Sequence, residues 1–165
     1  MAQAWYGIAI TLEFEERWYE AIHYVRKAIE KDEHNSDFWL LLGDCEYNLN
    51  NISEAGDCYI KVVEEEPDLV DGWLSYAHFL TETGNSEEAI HITEKAMLFH
   101  PDSTDLVYRQ TANMYSAGRI KDAYVLLDIA LDKDPESIQL LFDMLPDTQN
   151  DQHILNQIKN KKNNS

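Results

Sequence analysis

One interval governs this 165-residue sequence: side chains of the same kind return every 34 residues. Trp5, Trp39 and Trp73 keep that spacing, and Val107 takes the next place. Ala21, Ala55, Ala89 and Ala123 keep it too, as do Ala28, Val62, Ala96 and Ala130. Pro67, Pro101 and Pro135 follow, with Glu33 in the first slot, and Gly84 and Gly118 form a fifth column. Five columns in register without a gap define internal repeats, each too small to bury its own apolar face and obliged to stack on the next. The units run 2–35, 36–69, 70–103 and 104–137.

Within a unit the apolar spacing is helical. In the second unit Trp39, Leu42 and Gly43 share one face of a helix over about 37–49. Ala55, Tyr59 and Val62 share one face of a second over about 53–65. Small residues (Ala9, Gly43, Ala77 on first helices; Ala21, Ala55, Ala89 on second) let the two backbones approach closely, and aromatics fill the wider gaps. The proline column stops each second helix. Glu20, Glu54, Glu88 and Asp122 open the second helices and Lys27, Lys61 and Lys95 recur towards their ends, as the macrodipole favours. Asn85 and Glu88 have the spacing of a capping box.

The run Trp39-x2-Leu42-Gly43, then Ala55, Tyr59 and Pro67, resembles the tetratricopeptide repeat. Trp73, Ala77, Leu80, Gly84, Ala89, Ala96 and Pro101 match it again. The resemblance covers about residues 2–137. It departs at Glu46–Tyr47, where the family sets its tyrosine one residue earlier, at Thr93 in place of an aromatic, and at Val107 in place of tryptophan. What it implies is an all-α fold, a right-handed superhelical solenoid of antiparallel helix-turn-helix repeats.

Beyond the fourth unit, residues 138–160 read as a degenerate fifth unit that caps the array: a short helix stopped by Pro146, then a helix near 151–160 with Ile154, Leu155 and Ile158 on one face. Residues 161–165 read as a disordered tail, with Lys159, Lys161 and Lys162 at a solvated, frayed end. At the other end Met1 leads directly into a full first unit rich in apolar residues. That points to the C-terminal part of a longer array, or to a short protein that covers this edge by self-association.

Charge narrows the partners. With 31 acidic against 13 basic residues the formal net charge is −18, which repels nucleic-acid phosphates and anionic lipid surfaces and favours a basic or neutral protein segment. Cys45 and Cys58 are too few for a disulfide framework and fall on the two helices of one hairpin, where buried thiols suit a reducing, cytoplasmic setting. Neither a secretory leader nor an apolar run approaching about 20 residues is visible. No phosphate loop, nucleophile elbow, zinc-binding helix motif or Cys-x-x-Cys pair occurs, and the six histidines are scattered. The expectation is a protein without catalytic function, cofactor or metal.

Binding is expected on the concave side, which the first helices line. By helical phase the residues projecting there are Tyr6, Ile10, Glu13 and Phe14; Leu40, Asp44, Tyr47 and Asn48; Leu74, His78, Thr81 and Glu82; and Tyr108, Ala112 and Tyr115. Tyr6, Leu40, Leu74 and Tyr108 form a ladder at the repeat interval, either a grip for apolar ligand side chains or packing between neighbouring first helices. Asp37, Asp71 and Asp105 form an acidic strip along the starts of the first helices, where the helix dipole alone explains them and attraction of ligand cations is the alternative. The family's carboxylate-gripping inner face of Lys, Arg and Asn is missing, with Arg109 the only cation on the corresponding faces. The function expected is therefore an interaction scaffold holding a basic or apolar peptide or helix in the concave groove. The alternatives are a self-assembly module that stacks through its terminal repeats, making a homo-oligomer, and a regulatory array of a larger protein.

Overall fold

The computed structural model describes residues 1–164 and is all-helical over that range. The first four hairpin helices are α1 (Ala2–Phe14), α2 (Trp18–Ile29), α3 (Ser36–Asn48) and α4 (Ile52–Glu65). After them come α5 (Val70–Glu82), α6 (Ser86–Phe99), α7 (Thr104–Ser116) and α8 (Ile120–Lys133). A short helix, α9 (Ile138–Met144), and a full-length one, α10 (Gln152–Asn164), follow, each preceded by a 3-10 turn. The chain divides into two compact units, Met1–Tyr76 and Ala77–Ser165.

Every alanine of the two repeat columns is buried: Ala21, Ala55 and Ala89 are 0% exposed and Ala123 1%, while Ala28, Val62, Ala96 and Ala130 are all 0%. At Gly43 a Cβ would come within 3.2 Å of Cys58 Cβ and 3.3 Å of the Tyr59 ring, tighter than van der Waals packing tolerates without a shift.

The first helices share one ending. Just beyond it the backbone turns left-handed, at Glu16 (φ 58°), Asn50 (φ 62°), Gly84 (φ 81°) and Gly118 (φ 77°), again one repeat apart. The following amide reaches back to close the helix: Arg17 to Leu12 O at 2.8 Å, Asn51 to Glu46 O at 2.9 Å, Asn85 to Leu80 O at 2.7 Å, Arg119 to Met114 O at 2.9 Å. This is Schellman closure. Glycine adopts it without steric cost, whereas Glu16 and Asn50 sacrifice on the order of 1 kcal/mol. The sequence marks the turn by glycine in only two of four units.

The tryptophan column has a polar role as well as an apolar one. Trp39 Nε1 donates to Glu33 O at 2.7 Å and Trp73 Nε1 to Pro67 O at 2.8 Å, each six residues upstream in the proline column. Val107 cannot make this bond. There the equivalent carbonyl, Pro101 O, accepts from Lys133 Nζ at 3.1 Å.

In the first unit Ala9, Leu12, Val25, Phe38, Leu42 and Cys45 are among the buried core. Glu46, 3% exposed, ties three helices together, accepting from Arg26 Nη2 at 2.8 Å and Asn51 Nδ2 at 2.7 Å. This is what the Glu46–Tyr47 departure accomplishes: the buried position carries a carboxylate. In the second unit Thr93 replaces an aromatic for a related reason. Asn113, 0% exposed, donates to Ala89 O at 3.2 Å and to Thr93 Oγ1 at 2.8 Å and accepts from Thr81 Oγ1 at 3.1 Å, joining α5, α6 and α7.

Two local expectations are corrected here. Asn85 does not form a capping box, because its side chain turns to Thr83 Oγ1 at 3.0 Å and caps nothing. The segment expected as a disordered tail from 161 is helical through Asn164, Ser165 lying outside the described residues. Charge explains the extension: Lys161 Nζ lies 2.6 Å from Asp132 and 3.1 Å from Asp128 on α8. Asp151 anchors the start of α10. Its Oδ1 accepts from the amides of His153 (2.8 Å) and Ile154 (3.2 Å), and its Oδ2 from the hydroxyls of Tyr115 (2.9 Å) and Tyr124 (2.8 Å).

Candidate functional site

In the first unit the inner faces of α1 and α3 bring an aromatic ring and several carboxylates together. Tyr6 is half-buried, its ring 4.9 Å from that of Phe38. Burial raises its pKa first, and the nearby charges of Asp37, Asp44 and Glu13 raise it further. Glu13 is itself held above the ordinary carboxylate range by burial and by Asp44. Asp44 accepts from the Tyr59 hydroxyl at 2.5 Å, which fixes its carboxylate, and it helps hold the Tyr59 proton in place far above the usual range, burial being the larger cause. The field around Tyr6 is therefore strongly negative. A lysine or arginine brought there would gain from the carboxylates and from the ring face together.

Around this centre the other expected contacts differ in exposure. Phe14 is 88% exposed and Ile10 42%, whereas Leu40, Tyr47 and Leu74 are half-buried. Asn48 is exposed and donates to Asp44 O at 2.8 Å, a bond within its own helix. Asp37 and Asp71 are exposed in the first turns of α3 and α5. In the ladder Tyr6 touches Phe38 of the next first helix, so packing accounts for much of its surface, while the charges of Asp37, Asp44 and Glu13 act on its hydroxyl.

The second unit treats its expected contacts differently. His78 is exposed on α5 and Asp105 is exposed in the first turn of α7. Tyr108, expected on the binding ladder, is corrected: it is 0% exposed and its hydroxyl donates to Asp134 O at 2.8 Å, at the end of α8. Its ring is core and its polar end is committed. Tyr115 is likewise engaged, through Asp151, in holding α10. Thr81, also placed on the inner face by phase, is drawn into the Asn113 network. The packing of α9 and α10 covers this end of the ladder, which helical phase within one repeat cannot reveal. Arg109 is half-buried with no hydrogen-bond partner for its Nε, and burial lowers its pKa while Glu82 works against that.

Nothing in this surface resembles a nucleophile. Cys45 and Cys58 are buried thiols, both pushed up to about 12, chiefly by burial and then by neighbouring carboxylates. Among the described residues no group of three or more His, Cys, Asp and Glu is placed to hold a metal ion, and no helix is long and apolar enough to cross a membrane.

Comparison with known proteins agrees with this architecture. A tetratricopeptide-repeat family model matches residues 15–68. The tetratricopeptide repeat-containing protein trd-1 of Caenorhabditis elegans is 20% identical over 138 residues, 84% of this chain and 16% of its own length. The chain thus spans about one sixth of that relative. Among solved structures, YrrB, described as a tetratricopeptide protein with an unusual peptide-binding site, superposes with a TM-score of 0.65 at 15% identity, covering 98% of this chain and 84% of its own. A thermophilic tetratricopeptide protein from Thermus thermophilus gives 0.68 at 16% identity, with 95% and 88% covered. MamA from Desulfovibrio magneticus gives 0.70 at 15% identity, with 98% and 93% covered. The all-helical repeat solenoid is shared with these structures, and the tetratricopeptide-repeat model matches about one third of the chain.

Proposed function

We propose that the chain is a non-catalytic scaffold that holds a short segment of a partner protein, peptide or helix, along the inner faces of its first helices, the concave groove of the solenoid. The observation that carries this reading is the centre on α1 and α3: Tyr6, partly exposed, among Glu13, Asp37 and Asp44. Exposed Ile10 and Phe14 and half-buried Leu40 and Leu74 add apolar surface to it. Such a surface suits a segment that presents a lysine or arginine next to bulky apolar side chains. YrrB's peptide-binding site gives the reading a precedent on the same fold at 15% identity. The net charge of −18 argues against nucleic acid and anionic membrane as partners.

Selection from a random peptide library on the intact chain tests this. Recovered peptides should carry Lys or Arg beside Leu, Phe or Trp, and their binding should weaken steadily with added salt, as screening requires. Recovery of acidic peptides, or binding indifferent to salt, contradicts the proposal.

One observation favours a second reading, self-assembly. Helix α1 is mostly apolar, with Gln3, Thr11 and Glu13 as its polar residues, yet only Ala9 and Leu12 are buried, and Ile8 is 41% exposed. Apolar surface of that extent is normally covered. Light scattering behind size exclusion separates the readings: a monomer near 19 kDa favours the inner face as the working surface, and growth of mass with concentration favours assembly.

A further inference from the structure

A groove of about 410 Å³ opens between α2 and α4, within the first unit and away from the inner face. Its floor is apolar, formed by Ile29 of α2, Trp39 and Leu42 of α3 and Cys58 of α4. At about 100° per residue, Trp39, Leu42 and Glu46 lie roughly 120° around α3 from Leu40, Asp44 and Tyr47, so the two surfaces are distinct. The Trp39 indole N–H is already spent on Glu33 O at 2.7 Å. What that side chain offers the groove is apolar carbon.

The charges around the floor are unbalanced. Arg26 lines the groove, but its guanidinium is matched by Glu46 at 2.8 Å. Glu30, Glu54 and Asp57 stand exposed on the rim, and among the described residues none of them has an ion-pair partner. An apolar floor beneath three uncompensated carboxylates selects its occupant by charge. A second copy of this chain, at net charge −18, is repelled, and so is an anionic lipid surface. The volume falls within the roughly 300–1,000 Å³ of sites that enclose a ligand group.

We propose that this outer groove is a second docking site, independent of the inner face, for a basic protein segment that inserts a bulky apolar side chain between flanking lysines or arginines. The scaffold then engages two segments at once, one on each face of α3. Two linked contacts raise overall affinity without any change in either.

The probe is the hexapeptide amide Lys-Arg-Trp-Leu-Lys-Arg, titrated into the isotopically labelled intact chain and followed by NMR. A control peptide has Gly-Gly in place of Trp-Leu. Shift changes should appear at the Trp39 indole and at Ile29, Leu42 and Cys58 as a set separate from any at the inner face, and the control should produce none of that set. Neutralising the rim in the double variant Glu54→Gln, Asp57→Asn should weaken binding about tenfold while leaving the spectrum's dispersion intact. Shifts confined to the inner-face residues Tyr6, Asp44 and Tyr47 overturn the outer site while leaving the inner-face reading standing. Equal binding of the control peptide, or no shifts at millimolar peptide, overturns it as well.

Discussion

Asn113 is the side chain on which the second unit's helix register depends most, and replacing it three ways tests that role. It makes three hydrogen bonds with no exposure to solvent. Truncation to alanine removes all three but strands little. Thr81 can still donate to Ala77 O at 3.0 Å, and Thr93 still donates to Ala89 O at 2.8 Å. At about 1 kcal/mol net per bond, reduced by these alternatives and increased by a small cavity, Asn113→Ala should cost about 2–3 kcal/mol. Asn113→Leu fills the space without asking for partners and should cost about 1 kcal/mol. Asn113→Asp keeps the shape but loses both donors, setting a carboxylate oxygen against Ala89 O and forcing Thr93 to rearrange. With a charge buried beside an acceptor it should cost about 4 kcal/mol or more. Urea unfolding followed by circular dichroism reads the series, with the melting temperature falling about 2–4 °C per kcal/mol for a chain of this size. The predicted order of damage is Asp, then Ala, then Leu. An aspartate variant as stable as the leucine variant refutes the network as the source of register.

Two other residues give sharp expectations. Asp151 is lowered below its ordinary pKa of 3.8: burial pushes it upward, but the hydroxyls of Tyr124 and Tyr115 and the amides of Ile154 and His153 outweigh that. The carboxylate's contribution is therefore fully present above pH 3.8 and lost as pH falls through the lower folded-state value. Asp151→Ala should cost about 2 kcal/mol at pH 7, largely the helix cap, and the gap to the native chain should narrow in acid unfolding. Tyr108→Phe should cost about 1 kcal/mol in urea unfolding through the lost bond to Asp134 and leave the affinity of selected peptides unchanged. A binding defect without a stability loss would return Tyr108 to the ligand-contacting surface.

The hairpins and their close approaches were legible because a repeat imposes the same steric demand every 34 residues. Ala55 and Ala89 are both 0% exposed, and the shortage of room at such positions prints itself as a column. The turn after each first helix was only half legible. Its left-handed residue is glycine at 84 and 118, but Glu16 and Asn50 do the same task at a modest cost. Tyr108 misled for a different reason. Helical phase gives the direction a side chain takes from its own helix but not what arrives opposite, and here Asp134 and the last helices do. Lys161 was read from its polar surroundings in sequence, whereas its partners Asp128 and Asp132 lie about thirty residues away on α8. The carboxylates around Tyr6 come from two helices, α1 and α3, and gather across the repeat, whereas the acidic column of Asp37, Asp71 and Asp105 runs down it.

On the proposed function, the inner face of the first helices holds the partner segment. The most direct test is the affinity of a library-selected basic–apolar peptide for the double variant Ile10→Asp, Phe14→Asp, measured by calorimetry against the native chain. Both side chains are exposed, at 42% and 88%, so helicity should not change. Loss of two apolar contacts should weaken binding at least tenfold. Unchanged affinity in a variant of unchanged helicity would contradict the claim and move the working surface elsewhere on the solenoid.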